Sequence, residues 1–244
     1  MKNILKTTLL NAPKAAHPDG KLKLVIFDCD GVLVESEHLV SQVIGHEARI
    51  KGWNITDKQA REIFSGVQLR DVQKEIQKHV SNPLPDDWNV KIHEKIVDAM
   101  QGDVQQIEGV EDILQTLQKL NLPYRIGSNS SMREMTMKFT KTNLQKWFSK
   151  DRIHSAHDVK RSKPFPDLYL YAAEQEGVKP EECFVIEDSD TGLKAAYDAG
   201  MVCILLRDLE KPAPNYPGLI RVNSLKEASN FITEVLKSQN NFKR

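Results

Sequence analysis

Hydrophobic and polar positions follow two different rhythms along this chain. The segment KLKLVIF, residues 21–27, is a short run rich in apolar and β-branched residues that stops at a polar turn. That is the pattern of a buried strand. Over residues 37–105 the apolar positions recur at helical spacing instead, with no good strand among them. Leu69, Val72, Ile76 and Val80 share one face of a predicted helix, with Arg70, Lys74 and Lys78 opposite. The NPLP segment at 82–85 ends that helix, and another is predicted over 86–100.

Beyond residue 105 the rhythm alternates. A helix is predicted at 110–120, a strand at 124–128 and a helix from Met132; then a helix at 167–176, a strand at 183–187, a helix from Asp190 and a strand at 202–206. Such βα alternation predicts an α/β fold: a Rossmann-like parallel sheet covered by helices on both faces. The helical block interrupts it after the first strand. The expected organisation is an N-terminal extension at 1–20, an α/β core at 21–36 and 106–244, and an inserted all-α domain at 37–105.

Composition narrows the classes of function. Of 244 residues, 40% are hydrophobic and 28% charged, as in a globular protein. Lys plus Arg and Asp plus Glu both total 34, so no overall field favours nucleic acid or an anionic membrane as a partner. No apolar run is long enough to cross a bilayer. Cys29, Cys183 and Cys203 form no CxxC pair, which argues against a disulfide framework or structural zinc site. The basic N-terminus lacks a continuous apolar signal region, and the expected location is cytoplasmic. The sequence assigns no oligomeric state.

In an open parallel sheet, ligands bind beyond the carboxyl ends of the strands, so the residues following each strand carry the most information. After the first come Asp28-Cys29-Asp30-Gly31, after the second Ser128-Asn129-Ser130-Ser131, and after the third Glu187-Asp188-Ser189. The RSKPFPD segment at 161–167 adds Lys163. Residues two apart in an extended chain share a face, so Asp28 and Asp30 can point together while Cys29 points away. Several clustered carboxylates need a cation, and an all-oxygen set suits Mg²⁺ better than zinc or copper. Lys163 and Ser128 could then hold a phosphate, and the combination points to phosphoryl transfer.

Plainer readings exist for each group. Asp28 and Asp30 could form a strand-end turn pivoting on Gly31, Glu187 and Asp188 could belong to a helix cap, and Lys163 could be a solvated loop residue. Ser128 lacks the G-x-S-x-G elbow of a nucleophilic serine. His154 and His157 read as surface or loop groups outside the site. No H-E-x-x-H, Walker or G-x-G-x-x-G motif is present.

Taken in order, DCDGVLVESE, SNSS, KPFPD and EDSDTG resemble the four motifs of haloacid dehalogenase-like phosphohydrolases, across residues 21–206. The insert at 37–105 is similar to the helical cap of the β-phosphoglucomutase-like branch. The resemblance implies that Asp28 is a nucleophile forming an aspartyl-phosphate and that Asp30 is the general acid and base. It implies that Ser128 and Lys163, with main-chain amides at Asn129, hold the phosphoryl oxygens. Mg²⁺ would be bound by Asp28, the Asp30 carbonyl, Glu187 and Asp188. Arg70, after FSGVQL, would read the rest of the substrate from the cap. Mutases of the branch carry a histidine ten residues after the second aspartate, where this chain has Val40, with His38 out of register. The chain therefore looks most like the bacterial sugar-phosphate and 6-phosphogluconate phosphatases, acting on a small phosphorylated metabolite. A phosphosugar mutase is the first alternative. A catalytically silent binding or regulatory protein is the second.

Overall fold

The computed structural model describes residues 14–64, 67, 69–100, 102 and 104–242. Eight strands are described: β1 (Leu24–Phe27), β2 (Val34–Glu35), β3 (Gln105–Gln106), β4 (Tyr124–Ser128), β5 (Ile153–Ser155), β6 (Cys183–Glu187), β7 (Val202–Leu206) and β8 (Ile220–Val222). The described helices are α1 (Glu37–Ile50), α2 (Asp57–Phe64), α3 (Leu69–His79), α4 (Trp88–Ala99), α5 (Val110–Lys119), α6 (Met132–Thr142), α7 (Asp167–Glu176), α8 (Asp190–Asp198) and α9 (Leu225–Phe242). The chain divides into two compact units. One holds the described residues up to Leu33, Gln106–Met132 and those from Gln145 onward; the other holds Val34–Gln105 and Arg133–Leu144.

The first unit is built on a six-stranded sheet in the order β5-β4-β1-β6-β7-β8, with every pairing parallel. The α/β class expected from the alternation is what forms. Strands β1, β4 and β6 are buried along their whole length, which explains the near-continuous apolar runs of β1 and β6: a parallel sheet with helices on both faces has no solvent side. One face carries Leu24, Ile26, Val185, Cys203 and Leu205, and packs against Tyr169, Ala172 and Ala173 of α7 and Leu193, Ala195 and Ala196 of α8. On the other, Phe184 stacks on Phe231 of α9, with ring centroids 5.9 Å apart.

The chain runs from β1 to β4 and β5 on one side, then crosses back through α7 to β6, β7 and β8 on the other. The reversal lies beside β1. It opens a crevice at the carboxyl ends of β1, β4 and β6.

The sequence rhythm left β5, β8 and α9 unassigned. Strands β5 and β8 are three residues each and partly polar, too short to show a period. Helix α9 closes the fold and ties down residues 14–22. Buried Gln239 donates to the carbonyls of Ala15 and His17 at 2.9 Å and accepts from the Leu22 amide at 2.9 Å. Residues 1–13 of the expected extension lie outside the described residues.

In the second unit, α3 buries Val72 and Ile76 while Arg70, Lys74 and Lys78 are exposed, as the helical spacing predicts. Lys74 pairs with Asp71 and Lys78 with Glu75, so this basic stripe is a solvated face laced by its own acids. The two-residue strands β2 and β3 pair where the chain passes between the units. Among the described residues, no helix is long and apolar enough to cross a membrane.

Candidate active site

Strand β1 ends at Phe27 and delivers Asp28 to the crevice, its amide bonded to the Ile186 carbonyl of β6 at 2.9 Å. Asp28 is buried and Asp30 half-buried. Between them Cys29 is fully buried, packed away with the core rather than offered to a ligand. Burial pushes the Cys183 thiol up to about 12 and that of Cys203 well above its ordinary range, so neither is a thiolate nucleophile at neutral pH.

Lys163 enters from the loop before α7 and is only 3% exposed. Its Nζ donates to Asp28 Oδ1 at 2.6 Å and to Glu187 Oε1 at 2.7 Å. Burial by itself would lower this ammonium's pKa, but the Asp28 and Glu187 carboxylates outweigh it and hold it above the usual lysine range. The solvated-loop reading of Lys163 is thereby excluded. Its main chain is clasped by Asn129: Nδ2 donates to the Lys163 carbonyl at 3.3 Å, and Oδ1 accepts from the Lys163 amide at 3.1 Å. The Asn129 side chain thus fixes the lysine loop, leaving only its main chain for the phosphate contact that the resemblance suggested.

Ser128, at the end of β4, is buried, and its Oγ accepts from the Ser130 amide at 3.1 Å. Ser130 Oγ in turn donates to Asp30 Oδ2 at 2.7 Å. Ser155 at the end of β5 holds the Ser130 carbonyl at 2.8 Å. The ends of β1, β4 and β5 are therefore joined by a chain of hydroxyl and amide bonds.

Glu187 accepts five hydrogen bonds. Lys163 Nζ and the Tyr169 hydroxyl reach Oε1; the amides of Asp188 and Ser189 and the Ser189 hydroxyl reach Oε2. Burial would raise its carboxyl, but Lys163, the Ser189 amide and Tyr169 hold it below the usual range, so it stays anionic. For Asp28 burial wins. Its carboxyl is raised to about 7 against the pull of Lys163, with Glu187 and Asp30 adding to the rise.

Asp28, Glu187 and Asp188 each offer a carboxylate oxygen within 4.8 Å of the others. A Cβ added to Gly31, whose φ is +75°, would stand 2.0 Å from Asp188 Oδ2, so only glycine lets that carboxylate reach across toward Asp28. An all-oxygen donor set with this surplus of negative charge fits a small, hard divalent cation. A cation there also brings the Asp28 carboxyl back down. Glu187 belongs to this set, and its two oxygens also accept the five bonds described above.

Ser128, Asn129, Lys163, Asp28, Asp30, Glu187 and Asp188 all lie in the first unit. Arg70 lies in the second, on an exposed stretch of α3 beside Asp71. Residues 65, 66 and 68 of FSGVQL fall outside the described residues. His157 is exposed, but His154 is not the surface group expected: it is buried in β5 against Arg125. Tyr169 is a site group that its sequence pattern does not mark. Tyr169 sits on an apolar helix face, and its ring lies 4.6 Å from Lys163 Nζ, a cation–π contact.

A family model described as haloacid dehalogenase-like hydrolase matches residues 25–206. The chain is 26% identical to a 6-phosphogluconate phosphatase from Escherichia coli K12, covering 75% of this chain and 81% of that one. It is 27% identical to a phosphorylated carbohydrates phosphatase from Thermotoga maritima, covering 74% and 82%. A solved hydrolase from Deinococcus radiodurans R1, with bound phosphate and sodium, shares 30% identity over 89% of this chain and 98% of that chain, at a TM-score of 0.68.

Proposed function

The chain belongs to the haloacid dehalogenase-like hydrolase family, and on that footing we propose that it is a Mg²⁺-dependent phosphatase of a small phosphorylated metabolite. The substrate class we assign is a sugar phosphate or sugar-acid phosphate, by analogy with the relatives named above. The observation that carries the reading is the buried Lys163 bridging Asp28 and Glu187 at 2.6 and 2.7 Å. A buried ammonium locked beside the end of β1 supplies fixed positive charge where an anionic group would meet the Asp28 carboxylate.

In this mechanism an Asp28 oxygen attacks phosphorus, and the bond to the ester oxygen breaks. Asp30 gives its proton to the departing oxygen, which leaves as an alcohol. Water then attacks the aspartyl-phosphate while Asp30 takes the water's proton, releasing phosphate and restoring Asp28. Lys163 and Ser128 steady the phosphoryl oxygens, and Ser130 keeps the Asp30 carboxyl turned into the crevice. Asp28, Glu187, Asp188 and the main-chain carbonyl of Asp30 would hold Mg²⁺, whose contribution is to offset charge on the phosphoryl group. Glu187 also orients Lys163 and the 188–189 amides.

The helical unit is proposed as a cap, with Arg70 reading the non-phosphate part of the substrate. Val40, where the branch's mutases keep a histidine, favours hydrolysis over mutase chemistry. The test is phosphate release from a panel of phosphorylated sugars, sugar acids and nucleotides, with Mg²⁺ and after chelation. Turnover of a sugar phosphate that chelation abolishes is expected. A folded protein inert to the whole panel at high enzyme concentration would favour the silent binding role.

A further inference from the structure

Strand β7 runs beside β6 with Leu205 opposite Glu187, and it ends one residue before Arg207. The Arg207 side chain turns back across the end of β6. Its Nε and Nη2 both donate to the main-chain carbonyl of Asp188, at 3.1 and 2.6 Å. Its Nη1 donates to Asp190 Oδ1 at 2.7 Å and to the Pro212 carbonyl at 3.1 Å. The side chain is 17% exposed; its two bonds to the Asp188 carbonyl are part-buried, while those to Asp190 and Pro212 lie at the surface.

A guanidinium is planar and presents its N–H groups in a rigid fork, so four such bonds leave it one position. The turn after β6 is consequently gripped from two sides. Glu187 Oε2 accepts the amides of Asp188 and Ser189, and Arg207 holds the Asp188 carbonyl. The Asp188 carboxylate reaches over Gly31.

We propose that Arg207 is a positioning residue for the cation site. It fixes the main chain of Asp188 so that the carboxylate stands where it can share an ion with Asp28, while Arg207 itself supplies no ligand atom. The inference rests on the metal reading above, and it makes cation affinity depend on a residue outside the four motifs.

The sign of the effect separates this role from simple electrostatics. Arg207 is positive, so deleting it would tighten cation binding if charge alone mattered. Loss of positioning weakens binding instead. Arg207→Lys keeps the charge and loses the fork, so it weakens binding under the proposal and leaves it unchanged under electrostatics.

The experiment titrates Mn²⁺ into metal-free protein and reads free Mn²⁺ by electron paramagnetic resonance, with Mg²⁺ competition as a second reading. Arg207→Lys and Arg207→Ala are each expected to weaken Mn²⁺ binding 10- to 100-fold, the usual scale for groups behind a metal ligand. Half-saturating Mg²⁺ for turnover should rise in parallel, with kcat at saturating Mg²⁺ changing less. Arg221→Ala is the control. Arg221 Nη2 bonds the carbonyls of Asp208 and Lys211 at 2.8 and 2.6 Å, so this variant disturbs the same segment without touching Asp188. Its Mn²⁺ affinity should stay within about twofold of wild type. Wild-type affinity in Arg207→Lys, tighter binding in Arg207→Ala, or equal weakening in Arg221→Ala would overturn the proposal. If Arg207→Ala does not fold, the lysine variant decides. Wild-type protein that binds no Mn²⁺ would overturn the metal reading itself, and this inference with it.

Discussion

Ser130 Oγ donates to Asp30 Oδ2 at 2.7 Å, a bond between residues 100 positions apart that joins the loop after β4 to the loop after β1. The hydroxyl is itself held, because Ser130 is pinned through its amide by Ser128 and through its carbonyl by Ser155. One Asp30 oxygen is therefore occupied and the carboxyl has a defined orientation, as a proton donor in the crevice needs. Ser130→Ala is expected to lower kcat/KM about 10-fold on an aryl phosphate with Mg²⁺, for a lost bond of about 1.4 kcal/mol. Ser130→Thr should keep most of the rate. Unchanged turnover in the alanine variant would remove this bond from the acid–base step.

Lys163 has no solvent to retreat to, and neither do its partners. Replacing it with methionine leaves Asp28 and Glu187 buried without the cation between them. Removing one member of a buried ionic set costs about 3–5 kcal/mol. Urea unfolding of Lys163→Met in metal-free buffer should show a loss of that order, along with turnover below about 1% of wild type. A loss under about 1 kcal/mol would mean the two carboxylates find other partners.

The positions of Asp28, Asp30, Ser128, Glu187 and Asp188 were legible because strand rhythm marks where a strand stops, and Lys163 because the RSKPFPD segment leads into a helix. Topology then brings the carboxyl ends of parallel strands together. What each group does there was less legible. Glu187 looks like one acid among four, yet its five donors come from segments at 163, 169 and 188–189. The resemblance marks Asn129 for its main-chain amide, and nothing local shows that its side chain closes on main chain 34 residues away. Tyr169 fits an apolar helix face by period, and nothing local reveals where its hydroxyl points. Arg207 follows a strand in a segment without motif or rhythm. Helix α9 is different, since Leu225, Ala228, Ile232 and Val235 are buried at helical spacing and that signal was available.

His154 makes stability pH-dependent through a group that takes no part in the Asp28–Lys163–Glu187 cluster. Its Nε2 lies 3.0 Å from Arg125 Nη1, and Arg125 is already bonded to Glu176 and to the Asp151 and Gln175 carbonyls. Burial pushes the imidazole down to about 4, and Arg125 adds to the fall. An unfolded histidine titrates near 6.5, so between these values the unfolded chain takes up a proton that the folded one refuses. The contribution is full above about pH 6.5 and is lost as pH falls toward 4. With partial solvent screening it amounts to roughly 2 kcal/mol. His154→Gln can still accept from Arg125 but does not titrate. Urea unfolding at pH 7 and pH 4.5 should show the variant losing less stability than wild type, and identical losses would exclude His154 as the source.

Gly192 lies in the first turns of α8, where alanine ordinarily stabilises a helix by up to about 1 kcal/mol. Here the opposite sign is expected. A Cβ at this position would stand 1.6 Å from Glu187 Oε1 and 2.6 Å from Oε2. Glu187 cannot step aside cheaply, because moving it breaks its bonds to Lys163, Tyr169 and the 188–189 amides at once. The helix cap is involved too, since the Ser189 side chain accepts from the Gly192 amide at 3.0 Å and donates to Glu187. Overpacking and broken buried bonds together should lower the stability of Gly192→Ala by about 3 kcal/mol. Turnover should fall with it, because Lys163 loses the partner that holds it against Asp28. Thermal unfolding and phosphate release on the same preparation check both. Wild-type values for the two would show that Glu187 has room to swing away and that its five bonds do not fix the crevice.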